Sequence, residues 1–173
     1  SKKWKEKWFF DLGVRVEHTE AIGFSPTIDS TFKRSYTSVF PNLSISYTTP
    51  EKYNLSASAT RRVRRPNYYE LNPFSNQVNQ FIYENGNPFL KAQFTDVATS
   101  SWGLRNKYFF TLSASQTLGQ MTKVINQKED VEKQIHTLMN IDDLYNYSFN
   151  AAVPVNIYKW WIMNWNFTFY RNK

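Results

Sequence analysis

The stretch that decides the fold lies near the end of the chain. It reads Tyr145-Asn146-Tyr147-Ser148-Phe149-Asn150-Ala151-Ala152-Val153-Pro154-Val155-Asn156, then, after a short break, Trp161-Ile162-Met163-Asn164-Trp165-Asn166-Phe167-Thr168-Phe169. In both runs large apolar residues fall on every second position, mostly with Asn, Ser or Thr between them. Successive side chains of a β-strand point to opposite faces, so a period of two predicts strands with one apolar and one polar face. The pattern recurs along the chain. Trp8, Phe10, Leu12, Val14 and Val16 alternate with Asp11, Gly13, Arg15 and Glu17. Val39, Pro41, Leu43, Ile45 and Tyr47 oppose Asn42, Ser44, Ser46 and Thr48. Tyr53, Leu55, Ala57 and Ala59 oppose Asn54, Ser56, Ser58 and Thr60, and Tyr108, Phe110, Leu112 and Ala114 oppose Thr111, Ser113 and Ser115. Residues 94–103 alternate poorly and are expected to be a strand from their position, which gives about seven strands in meander order. Pro41 deletes a ladder hydrogen bond and predicts a bulge or the top of its strand.

Each run is about 9–11 residues, the length a tilted strand needs to cross a bilayer. The polar face suits a hydrated lumen better than a dry core, where unpaired amides and hydroxyls are costly. Aromatic residues make up 18% of the chain, yet the mean hydropathy is negative, as expected when one face meets lipid and the other water. No apolar run approaches the roughly 18–20 residues of a spanning helix. A soluble β-sandwich is the alternative, but its strands are shorter and its outer face carries Lys and Glu. Leu12, Val14, Leu43, Ile45, Leu55, Leu112, Val153, Trp165 and Phe167 are therefore expected to face lipid, and Asn54, Ser56, Ser113, Asn150 and Asn164 the interior.

Connections alternate strictly between short and long. Residues 49–52, 104–107 and 158–160 are tight turns; 17–36, 61–91 and 118–143 are long. Outer-membrane barrels do this, with short periplasmic turns and long extracellular loops. Seven strands would leave two open edges in lipid, so residues 1–173 are expected to be a fragment of one transmembrane β-barrel domain. The first residues, Ser1-Lys2-Lys3-Trp4-Lys5-Glu6-Lys7, carry no signal-peptide pattern and read as a solvated periplasmic turn. The absence of cysteine decides nothing about compartment.

Two connected segments carry a family resemblance. Arg61-Arg62-Val63-Arg64-Arg65-Pro66-Asn67-Tyr68-Tyr69-Glu70-Leu71-Asn72-Pro73-Phe74 precedes Asn85-Gly86-Asn87-Pro88-Phe89-Leu90-Lys91-Ala92-Gln93-Phe94-Thr95. Together they resemble the paired Arg-x-Pro and Gly-Asn-Pro-x-Leu-Lys-Pro-Glu signature in the barrel of TonB-dependent receptors, in the wording of the Bacteroidota type. Gly13-Val14-Arg15-Val16-Glu17 resembles that family's Gly-x-Arg-x-Glu strand, and Phe40-Pro41-Asn42-Leu43 its Phe-Pro segment. Ala92 and Gln93 depart from the usual Pro and Glu. The resemblance implies the C-terminal portion of a barrel of twenty-two strands in the outer membrane, an N-terminal plug, coupling to TonB through that plug, and active uptake of a small nutrient. Outer-membrane lipid, lipopolysaccharide and the rest of the barrel would be the other partners.

No catalytic, cofactor or metal site is expected. His18 and His136 read as solvated loop histidines without ligand spacing. Asp142 and Asp143 with Glu129, Asp130 and Glu132 lack the pattern of a calcium loop. The +7 net charge and Arg61, Arg62, Arg64 and Arg65 could suggest nucleic acid, but at the outer end of a strand they fit lipopolysaccharide phosphates or loop carboxylates better. The candidate functional segment is 61–91. Tyr68, Tyr69, Leu71, Phe74, Phe81, Ile82, Tyr83 and Phe89 look too apolar to stay unpacked. Pro66, Pro73 and Pro88 restrict the backbone, and Asn85-Gly86 is a turn signal. The expectation is an ordered excursion that braces the rim, with Arg62 or Arg65 tied to a carboxylate or carbonyl. If it contacts substrate, Tyr68, Tyr69, Phe74, Asn72, Asn76 and Gln77 would suit a polar ligand. A non-transporting barrel (adhesin or scaffold) and a soluble carbohydrate- or nucleic-acid-binding β-protein are the competing classes.

Overall fold

The computed structural model describes residues 7–25, 30–49, 52–105, 107–127 and 133–173. The N-terminal turn read at residues 1–7, parts of the turns at 49–52 and 104–107, and Glu129, Asp130 and Glu132 lie largely or wholly outside these residues.

Seven long strands form one antiparallel sheet. They are β1 (Trp8–Ser25), β2 (Ser30–Thr49), β3 (Tyr53–Arg64), β6 (Gln93–Leu104), β7 (Tyr108–Leu118), β10 (Leu144–Tyr158) and β11 (Trp161–Asn172), paired in that order. Each strand lies beside the next long strand in the chain, the expected meander, and β1 and β11 are its edges. Residues 94–103, where alternation fails, are indeed strand. On the apolar face Ala98 lies between Ala59 and Ala114, and Ser100 between Ala57 and Leu112, so a small and a polar residue interrupt the pattern there.

The register keeps the two faces separate across the sheet. Leu12 pairs with Leu43, which pairs with Ala59; Leu55 pairs with Trp102, Leu112 with Phe149, and Val153 with Trp165. All nine residues expected to face lipid share this apolar face, and the five expected inside share the other. Leu12 is 74% exposed and Val14 73%, while Ile45 and Val153 are half-covered by their neighbours. A water-soluble sandwich would cover such a face with a second layer; here nothing among the described residues covers it, so lipid is its natural solvent. The opposite face is tied by cross-strand hydroxyl pairs: Thr95–Thr117 at 3.1 Å, Thr99–Ser113 at 3.3 Å and Ser101–Thr111 at 3.3 Å.

The apolar band has visible limits. At the tight-turn end Trp8 packs on Tyr47 at 4.7 Å and Trp160 stacks on Tyr158 at 5.7 Å, where amphipathic rings favour an interface. At the other end one row crosses four strands: Arg61, Asp96, Gln116 and Tyr145 are successive register partners. Arg61 Nε lies 3.6 Å from Asp96 Oδ1, and Gln116 Nε2 donates to Tyr145 Oη at 3.0 Å. From Tyr53 to Arg61 is about nine residues, one crossing of the hydrocarbon layer.

Three expectations need correction. Residues 17–36 are not a long loop: β1 and β2 stay paired out to Ser25 and Ser30, so His18 is a strand residue beside Thr37. Alternation disappears there because both faces meet water once the strands leave the bilayer. The connection 118–143 is likewise largely strand, with β8 (Met121–Gln127) and β9 (Gln134–Asn140), so His136 is a strand residue too. Pro41 makes no bulge, since the β1–β2 register runs past it unbroken. It sits one residue beyond the last β2–β3 pair, Asn42 with Thr60.

Between β3 and β6 come helix α1 (Tyr68–Leu71), β4 (Ser75–Gln77) and β5 (Ile82–Asn85). These join β8 and β9 in a second sheet of order β4-β5-β9-β8, in which β5 and β9 are parallel. This sheet stands at the end of the wall that carries the long connections, and we call it the cap.

Candidate functional site in the cap

The cap begins with the proline that follows the arginine run. Pro66 cannot continue the ladder, and Asn67 then starts α1 with a capping box: its side chain accepts from Glu70 N, while Glu70 Oε2 accepts from Asn67 N. Glu70 Oε1 also receives Arg64 Nη2 at 2.7 Å, so both carboxylate oxygens are engaged. Arg65 Nη2 donates to Glu17 Oε2 at 2.5 Å, the carboxylate tie expected of Arg62 or Arg65. Glu17 also holds Arg15 at 2.9 Å, and Arg15 lies over the Phe40 ring. The hydrogen bond from Arg65 to Glu17 raises the guanidinium pKa further above its usual range.

The Gly86-Asn87-Pro88-Phe89-Leu90 segment is the fastener. A Cβ on Gly86 would lie 2.1 Å from the Asn72 carbonyl oxygen and 2.7 Å from that of Tyr69. Glycine is needed for close approach to the end of α1, whereas the sequence suggested a turn at Asn85-Gly86; only Gly119 among the glycines has a positive φ. Asn87 donates from its backbone to Glu70 O at 2.7 Å and from its side chain to Leu138 O at 3.0 Å. Arg34 of β2 donates to the carbonyls of Pro88 and Leu90. Leu90 is fully buried. Asn140 closes the other side, accepting from Lys91 N at 2.8 Å and donating to Gly119 O at 2.8 Å.

The two connections line a half-open pocket of about 160 Å³. One row of the second sheet supplies part of its lining: Asn76, Glu84 and His136 are successive register partners on β4, β5 and β9. Asn85, Leu138, Lys123, Gly86 and, from α1 and its cap, Asn67, Tyr69 and Glu70 complete it. Lys123 Nζ binds Glu84 Oε1 and holds that carboxyl below its usual pKa. Asn85 Oδ1 and His136 Nε2 are buried without hydrogen-bond partners. No group of three metal-ligating residues occurs among the described residues.

Of the residues singled out by sequence, Tyr69 and Asn76 line this cavity. Gln77 pairs with Tyr83, on the other face of the sheet. Asn72 caps α1 and accepts from Phe74 N at 3.3 Å, and Phe74 is exposed. Tyr68 is 73% exposed and meets Tyr69, itself 78% exposed, edge to face. The order of the segment therefore comes from hydrogen bonds to backbone and not, as expected, from burial of its aromatic rings. Arg62 lies on the polar face of β3, in an open hollow of about 380 Å³ with Arg15 and Asn42. Sequence reading took His136 for a solvated loop residue and Asn85 for part of a turn, and it did not single out Glu84 or Lys123, which no local pattern marks.

A one-layer wall with a lipid-facing band, an aromatic belt and a polar cap defines an outer-membrane β-barrel protein. The chain belongs to the outer membrane protein β-barrel family, whose model matches residues 1–173. Its fold is similar to that of the siderophore receptor PirA from Pseudomonas aeruginosa, at TM-score 0.64 and 14% identity over 95% of this chain and 34% of that one. It is similar also to the copper transporter OprC, at TM-score 0.68 and 12% identity over 98% and 27%. A third likeness is to the ferric enterobactin receptor PfeA, at TM-score 0.60 and 13% identity over 95% and 25%. The chain thus spans between a quarter and a third of the length of these structures. No curated protein matches the sequence.

Proposed function

We propose that this chain is part of the wall and extracellular cap of a TonB-dependent transporter that takes up a small nutrient. The observation that carries the reading is the cap itself. Two connections from separate hairpins are locked into one sheet around a polar cavity, a construction that a bare structural wall does not need. The likeness in fold to a siderophore receptor and a copper transporter supports it, as do the two signature segments at 61–74 and 85–95. In this reading residues 1–173 are one piece of a single, larger barrel of twenty-two strands. The remaining strands would pair with the open edges of β1 and β11, and a plug within the lumen would couple to TonB. The chain does no covalent chemistry; it binds and guides. Lipid and lipopolysaccharide would meet the apolar face and its Arg61 border.

Energy-dependent uptake tests this. Cells lacking the full-length protein should lose accumulation of one nutrient, and cells lacking TonB should lose it equally. Normal uptake of every nutrient tried, with loss of surface adhesion instead, would favour a non-transporting barrel.

A further inference from the structure

We propose that the lipid-facing side of the wall holds one molecule of lipid A, with an acyl chain in a hollow of the sheet and the phosphorylated head on a basic rim above it. The assignment rests on the outward orientation of the cap and is independent of transport. The hollow, of about 440 Å³, opens on the apolar face just below the Arg61 row. Its floor is low because Ala59, Ala98 and Ala114 are successive register partners on three neighbouring strands. Leu43 and Tyr147 continue that row on either side and form the walls. In the next row Ala57 and Ser100 keep the floor low, and one row further on Trp102 and Phe110 raise it again. Ala57 lies midway between Arg61 and Tyr53, the two borders of the band, so the depression belongs to the outer leaflet. Lipid is the solvent of this face, and a chain lying in the hollow gains side-wall contacts that the flat wall does not offer.

The rim selects the head. Three cations border the hollow on this face: Arg61 on β3, and Arg171 and Lys173, whose backbone partners are Tyr147 and Tyr145. Asp96, 3.6 Å from Arg61, is the one acidic side chain among the described residues of these two rows, so positive charge is in excess. A phosphorylated head complements that excess, because guanidinium and ammonium groups bind phosphate oxygens strongly. Gln116 and Tyr145, joined at 3.0 Å, lie between the cations and suit the amide and hydroxyl groups of a glucosamine unit. A zwitterionic phospholipid brings no net charge to such a rim.

The test uses the full-length protein in detergent micelles, freed of bound lipid, with bound molecules counted by native mass spectrometry. Diphosphoryl lipid A, monophosphoryl lipid A, phosphatidylglycerol and phosphatidylethanolamine are added separately. Diphosphoryl lipid A should bind at least tenfold more tightly than either phospholipid, and loss of one phosphate should weaken it. Ala98→Leu with Ala114→Leu fills the hollow with apolar groups that a lipid-facing wall accepts, and should weaken binding at least fivefold. Val155→Leu, on the same face away from the hollow, should leave it unchanged. Arg61→Gln and Arg171→Gln should each weaken it several-fold; Arg171 is exposed, so that variant remains informative where the filled one fails to assemble. Equal binding of all four lipids, tighter binding of phosphatidylglycerol, or unchanged affinity in the filled and arginine variants would overturn the assignment. A dimer of the protein that forms in place of lipid binding, and is lost in the filled variant, would overturn it in favour of a second copy. Loss of energy-dependent uptake bears on the transport reading alone and leaves lipid binding as it stands.

Discussion

Arg65 and Glu17 are 48 residues apart in sequence and 2.5 Å apart in space, and their contact ties the start of the cap to the first strand of the wall. Glu17 holds Arg15 as well, so one carboxylate serves two guanidiniums. Arg65→Ala should loosen the base of the cap more than Glu17→Gln, whose amide oxygen can still accept from Arg65. With all three side chains partly exposed, the expected cost is about 1 kcal/mol or less for either change. Hydrogen exchange across 65–92 measures it; protection unchanged from the parent protein in both variants would show that the contact contributes nothing.

Gly86→Ala should be the most damaging single change in the cap. Its methyl group would land on the Asn72 and Tyr69 carbonyl oxygens, which are backbone and cannot swing aside. Overpacking of this kind costs about 1–3 kcal/mol, and the close carbonyl places this case at the upper end. Exchange at α1 and β5 should rise while the long strands keep their protection. Unchanged exchange in the cap would mean that the segment shifts freely.

The two faces of the wall should respond differently to charge. Leu112 lies mid-band on the apolar face, and Ser113 beside it points to the polar face. Leu112→Arg should cost roughly 2–4 kcal/mol in reversible unfolding from a bilayer, and Ser113→Arg far less. Similar costs for both would contradict the assignment of faces.

Acid should open the second sheet before it affects the wall. Lys123 holds the Glu84 carboxyl below its ordinary value, so the pair's contribution is complete above the unfolded pKa of about 4.3. It is lost as the pH falls from there through the lower folded value. Exchange at β5, β8 and β9 should therefore rise below about pH 4. Lys123→Met should abolish that dependence; a transition unchanged in this variant would assign it to another group.

The wall is legible in the order of residues alone. Period-two alternation reports two solvents on opposite sides of a strand, and Trp8 to Val16, Tyr53 to Ala59 and Trp161 to Phe169 lie where lipid faces one side and water the other. The short connections follow from the same fact, because neighbouring strands must turn at once on leaving the membrane. Where strands pass beyond the bilayer both sides meet water and the signal stops, so the outer halves of β1 and β2, and all of β8 and β9, read as loop. The aromatic residues of 61–91 misled in a related way. They mark composition, whereas Asn67, Gly86, Asn87 and Asn140 impose order through backbone contacts that no residue type announces. Only the tertiary structure placed His136 beside Glu84 and Asn85, by pairing β5 with β9 in parallel. That pairing joins two separate connections, and its register depends on the distance and direction at which the wall holds their ends. A local pattern carries no record of that geometry, because it belongs to the sheet as a whole.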